Sequence, residues 1–240
     1  MYNKYALVTG ASGGIGKAIA RQLIEQGYGV YLHYFKNKES VQELANELKV
    51  DSIFLVEADL SKPNGVRQLL NQVHHPIQAL ILNSGNTHFG LITDMDDTLV
   101  NEMVQLHCTS PFLLAKSLVS PMIRNKNGSI LLITSVWGQV GASCEVLYSM
   151  LKGGQNTFVK ALAKELAPSN IRVNGVAPGA INTSMLEYIH EEDKKELENE
   201  IPMGRIGEPE EVANVVTFLL SEKASYINGQ IVSVNGAWHT

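Results

Sequence analysis

The chain has 240 residues, 45% hydrophobic and 18% charged, a balance that excludes a disordered, collagenous or coiled-coil protein and fits one folded domain. Its formal net charge of −5 speaks against a protein that works by neutralising nucleic-acid phosphates, so no nucleic-acid partner is expected. Two cysteines, Cys108 and Cys144, provide no disulfide framework and point to a reducing cytoplasm.

The apolar run that begins at Tyr5 is ended by Thr9-Gly10 too soon for a signal-peptide core. The longest mostly apolar stretch, Val212 to Leu220, falls short of the roughly 20 residues of a membrane-spanning helix, so no membrane partner is expected. Short β-branched and aliphatic runs predict seven strands: Tyr5-Ala6-Leu7-Val8, Val30-Tyr31-Leu32, Ile53-Phe54-Leu55-Val56, Ala79 to Leu82, Ile130 to Ile133, Ile171-Arg172-Val173 and Ile231 to Val234. Helical periods lie between them, such as Ile15, Ile19, Leu23 and then Val41, Leu44, Ala45, Leu48, the second predicted to open on a Ser40-x-x-Glu43 capping box. Strand and helix in alternation predict an α/β fold with a doubly wound, Rossmann-like parallel sheet, and strands apolar at nearly every position predict helices on both faces. No linker or fixed-period repeat divides the chain, so one domain is expected over residues 1–240.

Between the first strand and the first helix stands Thr9-Gly10-Ala11-Ser12-Gly13-Gly14-Ile15-Gly16. Glycines in such a turn let backbone amides approach a pyrophosphate, and the helix N-terminus adds positive partial charge. Cofactor contacts are therefore expected from Gly10, Ser12, Gly14, Ile15 and Gly16, spaced G-x-x-x-G-x-G rather than in the commoner G-x-G-x-x-G pattern. NAD-binding units place a carboxylate at the end of the second strand, where this chain has Tyr34, followed by Phe35 and Lys36. Without an acid there a 2′-phosphate is not repelled, and Lys36 or Lys38 can pair with it. NADP(H) is expected over NAD(H), although both lysines could simply solvate a loop.

Tyr148 and Lys152 are four apart in a predicted long helix and so share one face, and Ser135 follows the Ile130 to Ile133 strand at the end where such sheets hold ligands. A free phenol near pKa 10 is a sluggish acid–base group at neutral pH, and a neighbouring ammonium and an oxidised nicotinamide are both expected to lower it. The seven histidines show no metal-ligand spacing, so no catalytic metal is expected.

Taken in order, Thr9 to Gly16, Asn83-Ser84-Gly85, Ser135, Tyr148-x-x-x-Lys152 and Pro178-Gly179 resemble the short-chain dehydrogenase/reductase family over essentially the whole chain. The likeness is greatest to its 3-oxoacyl-[acyl-carrier-protein] reductase type, including the ending Gly229-Gln230-Ile231-Val232 through Asn235-Gly236. The resemblance implies a ketone reductase in which Ser135 polarises the substrate carbonyl, Tyr148 donates the proton and Lys152 binds the nicotinamide ribose. It also implies cofactor contacts from Asp59 and Leu60 near adenine, from Asn83 and Gly85 beside the ribose, from Ile181 with Thr183 near the carboxamide, and from Pro178 and Gly179. For Asp59, a turn or helix-cap role is the plainer alternative. Tetramers built through the segments carrying His107 and Tyr148 are a further expectation.

Two departures stand out. The family's Asn-Asn-Ala-Gly stretch reads Leu82-Asn83-Ser84-Gly85, and His107 aligns with the Asn that is the family's fourth catalytic residue. In the family that Asn offers its backbone carbonyl to a water leading to the lysine. Pro111, four residues beyond His107, lacks an N–H and is expected to leave the His107 carbonyl free for that relay; alternatively His107 only packs within a helix.

The resemblance places a substrate lid at residues 185–203, with Met185 at its start, and the part from Glu187 to Glu200 holds seven acidic residues against Lys194 and Lys195. The stretch from Ser135 through Trp137 to Glu145 resembles a branch of reductases associated with the 5-aminopentanone modification on elongation factor P. Trp137, Glu145 and Met185 are expected to touch the substrate, Glu145 by pairing with a cationic amine. The ketone is thus expected on a carrier-linked acyl chain or on a protein. A module that senses NADP without turnover is the alternative of another class.

Overall fold

The computed structural model describes residues 4–186 and 190–240. All seven expected strands form: β1 (Tyr5–Val8), β2 (Gly29–Tyr34), β3 (Ile53–Glu57), β4 (Ala79–Leu82), β5 (Gly128–Ile133), β6 (Ile171–Pro178) and β7 (Ile231–Val234). They make one parallel sheet in the order β3-β2-β1-β4-β5-β6-β7. The order reverses between β1 and β4, and that switch point opens a crevice at the C-terminal ends of the strands.

Successive strand residues point to opposite faces, and both faces are covered. Ala6, Val8, Leu32 and Ile81 join one apolar layer with α1 (Gly14–Glu25), α2 (Lys38–Leu48) and α9 (Pro209–Leu220). Leu7, Tyr31, Leu80 and Leu132 join the other, with α3 (Gly65–Leu70), α5 (Ser110–Asn125) and α7 (Val146–Leu166). Each fully buried Leu or Ile in these layers contributes about 1.5–3 kcal/mol. The remaining helices are α4 (Asp97–Val104), the short α6 (Trp137–Val140) and α8 (Glu191–Glu200), and a π-helical turn, Gln105–Thr109, joins α4 to α5.

Two local expectations are revised. The α2 helix starts at Lys38, not after Ser40, because the Asn37 side chain accepts the Ser40 amide at 3.0 Å and is the N-cap; the Ser40 hydroxyl instead donates to the Ser12 carbonyl at 3.0 Å. The sixth strand continues to Pro178 through Asn174-Gly175, which hid it from a reading of apolar runs. Buried Asn174 is accommodated because its amide donates to the Ile227 carbonyl and its oxygen accepts the Gln230 N–H. Within the region expected to form a lid, Ser184–Leu186 is a short 3-10 turn and Glu191–Glu200 is α8; residues 187–189, Glu187 among them, lie outside the described residues.

Candidate active site

The turn after β1 is held open by its own backbone. Gly10 has φ +65°, a region that favours glycine. A Cβ on Gly16 would stand 2.2 Å from the Gly10 carbonyl oxygen, and one on Gly14 would stand 2.9 Å from the Thr183 methyl. The Thr9 hydroxyl accepts the amides of Asn83 and Ser84 at 2.9 and 3.0 Å, while the Asn83 side chain donates to the carbonyls of Thr9 and Gly10. Among the described residues no side chain caps the start of α1 at Gly13, and no acidic residue occupies its first turn. Free N–H groups and the positive end of the helix dipole therefore face the crevice, an arrangement that fits a dinucleotide pyrophosphate.

At the adenosine end the placement is mixed. Tyr34 ends β2 with its hydroxyl donating to Glu57 at 3.1 Å, so an acid stands beside this position after all, contributed by the end of β3. It escaped the sequence reading because cross-strand register, not sequence distance, puts it there. Lys36 is exposed, its ammonium 5.5 Å from the Phe35 ring centroid. The Asp59 carboxylate accepts the Ser61 amide and hydroxyl at 2.9 and 2.6 Å, which is the turn role. Leu60 is packed in the core.

At the end of β5 the protein gathers its reactive groups. Ser135, Tyr148 and Lys152 line one cavity of about 380 Å³, together with Asn83, Gly85 and Ile15. Pro178, Gly179, Ile181 and Thr183 form another part of its wall. Lys152 is buried and donates to the Ile133 carbonyl at 2.7 Å; desolvation pushes its pKa down to about 7, partly countered by Cys108. Its ammonium lies 5.5 Å from the Tyr148 ring centroid.

The expectation that this ammonium lowers the Tyr148 pKa is not met. Burial raises the phenol well above its ordinary value, the Ser135 hydroxyl pulls it back, and the Glu145 carboxylate pushes it up again. Tyr148 is thus a protonated group at neutral pH, suited to giving a proton away.

His107 is fully buried, edge-on to Tyr148 with ring centroids 5.7 Å apart, and its ring fills the space a Cβ on Gly85 would need. Its Nε2 donates to the Asn86 carbonyl at 2.9 Å, leaving Nδ1 an unprotonated acceptor with no partner. Burial first, and then the Lys152 charge, push its pKa down to about 3. Its backbone carbonyl is not free as expected: Pro111 offers no N–H, but the Gln155 amide donates to it at 2.7 Å from one turn beyond Lys152.

Trp137, Glu145 and Met185 line the same cavity. Trp137 packs on Trp238, ring centroids 4.9 Å apart, and the Thr87 hydroxyl donates to the Glu145 carboxylate. Leu197 of α8 reaches the same cavity, as do Phe89 and Trp238. Among the described residues, no three His, Cys, Asp or Glu side chains gather as a metal site requires.

A family profile described as Enoyl-(Acyl carrier protein) reductase matches residues 10–239. The chain is 38% identical to the 3-oxoacyl-[acyl-carrier-protein] reductase FabG of Aquifex aeolicus, over 98% of this chain and 97% of that one. It belongs to the short-chain dehydrogenase/reductase family. As a member, it is an oxidoreductase. It is also 54% identical, over 99% of both chains, to the uncharacterized oxidoreductase YmfI of Bacillus subtilis. Among solved structures, this reductase resembles the angucycline C-6 ketoreductase LanV with bound NADP at TM-score 0.89 and 28% identity, over 97% of this chain and 94% of that one. YwfH, an NADPH-dependent reductase involved in bacilysin biosynthesis, matches at TM-score 0.91 and 25% identity, over 99% and 98%.

Several residues of the reductase's cleft went unread in the sequence. Phe89, Leu197 and Trp238 come from three separate segments and meet only in the fold. Gln155 does carry a signal, because a second polar side chain one turn after Lys152 interrupts the apolar face of α7.

Proposed function

We propose that this protein is a cytoplasmic NADPH-dependent ketone reductase of the 3-oxoacyl-[acyl-carrier-protein] reductase type, with Tyr148 as its proton donor. The observation that carries the reading is the convergence of Ser135, Tyr148 and Lys152 on one cavity that Ile15 of the glycine turn also lines. NADPH, when bound, supplies the hydride. The NADP bound to the angucycline C-6 ketoreductase and the NADPH dependence of YwfH support that cofactor.

The chain's own groups do the rest. The Ser135 hydroxyl orients the ketone oxygen, and the raised phenol of Tyr148 keeps its proton until the oxygen becomes basic enough to take it. Lys152 places a cation beside that phenol, restoring the charge balance once the proton leaves. His107 and Gln155 fix the floor beneath both. The Ser184–Leu186 turn and α8 form the lid, which excludes water through Met185, Leu186 and Leu197. Exposed Phe112 of α5 and Val146 and Met150 of α7 support assembly into a homotetramer through these helices.

One observation favours a second substrate. The Glu145 carboxylate lines the cavity and is near enough to Tyr148 to raise its pKa, so a substrate bearing an amine would neutralise it there. A protein-linked amino ketone, such as the 5-aminopentanone modification on elongation factor P, has that chemistry. The test compares NADPH oxidation with acetoacetyl-CoA, a 3-oxoacyl carrier protein and aminopentanone-bearing elongation factor P, in the wild type and in Glu145→Gln. Preference for the acyl substrates, with Glu145→Gln unharmed, supports the first reading. Preference for the modified protein, with KM raised about tenfold or more in Glu145→Gln, replaces it with the second.

A further inference from the structure

His33 is an ionisable side chain near the C-terminal end of β2, the strand next to the β3 edge of the sheet. All six residues of β2 are buried, and His33 itself is 3% exposed. Its ring lies beneath the glycine turn. The Gly10 N–H donates to Nδ1 at 3.0 Å, and Nε2 donates to the Ala58 carbonyl at 3.0 Å. The His33 backbone carbonyl takes the next amide of the turn, Ala11, at 2.8 Å. One residue therefore holds two successive amides of the turn, those of Gly10 and Ala11, and ties them to the segment after β3 that carries Asp59.

We infer that His33 is a positioning residue for the cofactor: through its Nδ1 and Nε2 it presets the glycine turn before the dinucleotide arrives. The inference rests on the cofactor reading above. With Gly10 and Ala11 committed inward, the N–H groups left for a pyrophosphate are those at the uncapped start of α1. Gly10 sits at φ +65°, and its amide fixes where that positive-φ corner points. The arrangement demands one tautomer, with the proton on Nε2, because the Ala58 carbonyl can only accept. Burial keeps the ring neutral, with its pKa pushed down to about 4 against the opposing pull of the Ala58 bond and of Asp59. An apolar residue of the same size would leave the Gly10 N–H and the Ala58 carbonyl buried without partners, free to reorient the turn.

The test is His33→Phe, which keeps the ring and removes both nitrogens. Binding of NADPH is measured by fluorescence titration of the purified protein, and exchange of the Gly10 and Ala11 amides is followed without cofactor. The expected result is a Kd for NADPH raised about tenfold, faster exchange at Gly10 and Ala11 that added NADPH reverses, and kcat at saturating NADPH within about threefold of wild type. His33→Gln, which can keep one of the two bonds, falls between, and it carries the measurement if the Phe variant does not fold. Unchanged NADPH affinity and unchanged exchange at both amides overturn the inference while leaving the cofactor reading intact. A wild type that binds neither NADPH nor NADH overturns that reading and this inference with it.

Discussion

The wall of the cleft built from β1, β2 and β4 and the wall built from Thr87, Phe89, Glu145 and Leu197 of α8, with the loop that continues from Phe89, satisfy their groups in opposite ways. On the first, Thr9, Asn83 and His33 pair backbone groups within a buried network, and there is no room for a Cβ at Gly16. On the second, large apolar side chains stand in solvent: Phe89 is 77% exposed, Ile92 68% and Leu91 58%. The difference matches what each wall receives. A dinucleotide is always the same shape, so a preset cradle avoids ordering costs at binding. The second wall, by contrast, sets exposed apolar groups beside an acidic helix, α8, with no comparable network of buried hydrogen bonds among the described residues.

The largest effect is expected from breaking the first wall. In Gly16→Ala the new methyl meets the Gly10 carbonyl at 2.2 Å and the Asn83 amide at 2.8 Å, and both belong to rigid neighbours. The turn must shift, and NADPH affinity should fall at least about 100-fold, with about 1–3 kcal/mol lost from stability. Titration with NADPH and a thermal melt check this. Affinity within threefold of wild type would mean that the cradle adapts as the other wall does.

Acid should also act on the first wall and its junction. Buried His33 and His107 have pKa values of about 4 and about 3, against 6.5 for a free imidazole. Between pH 6.5 and 4 the unfolded chain takes up these protons and the folded chain does not, so stability falls as pH falls through that window and is unaffected by either group above it. Each contributes a slope of up to about 1.4 kcal/mol per pH unit. Denaturant unfolding at pH 7, 6, 5 and 4 measures it, and His33→Phe should remove the share that His33 contributes, up to about 1.4 kcal/mol per pH unit. An unchanged slope in that variant would place the acid sensitivity elsewhere.

How much of this was legible in sequence follows the same division. The strands, the glycine turn and Tyr148 with Lys152 declared themselves because each is a local pattern: an apolar run, a loop before a helix, an i,i+4 pair. His33 did not, because a single polar residue in an apolar strand gains its meaning only from Gly10 and Ala58, which reach it through the fold. Glu57 became a neighbour of Tyr34 through strand register. The His107 carbonyl was read correctly as lacking a Pro111 partner, but the Gln155 side chain that takes its place comes from a helix 48 residues away. The far wall of the cavity, with Phe89, Leu197 and Trp238, is a tertiary assembly that no periodicity encodes.

The smallest effect on stability is expected from the second wall, and it tests whether that wall is truly unconstrained. A buried Phe cut to Ala costs about 3–5 kcal/mol, most of it lost burial and an unfilled cavity. Phe89 is 77% exposed, so Phe89→Ala removes little of either and should change stability by no more than about 0.5 kcal/mol. Its ring nevertheless lines the same cavity as Tyr148, so its loss should appear in substrate recognition, as a KM for the ketone raised about three- to tenfold with the Kd for NADPH unmoved. Denaturant unfolding and steady-state kinetics separate the two readouts. A stability loss above about 2 kcal/mol would show that residues 86–95 are braced like the cofactor wall, and the contrast between the walls would then fail at its more exposed side.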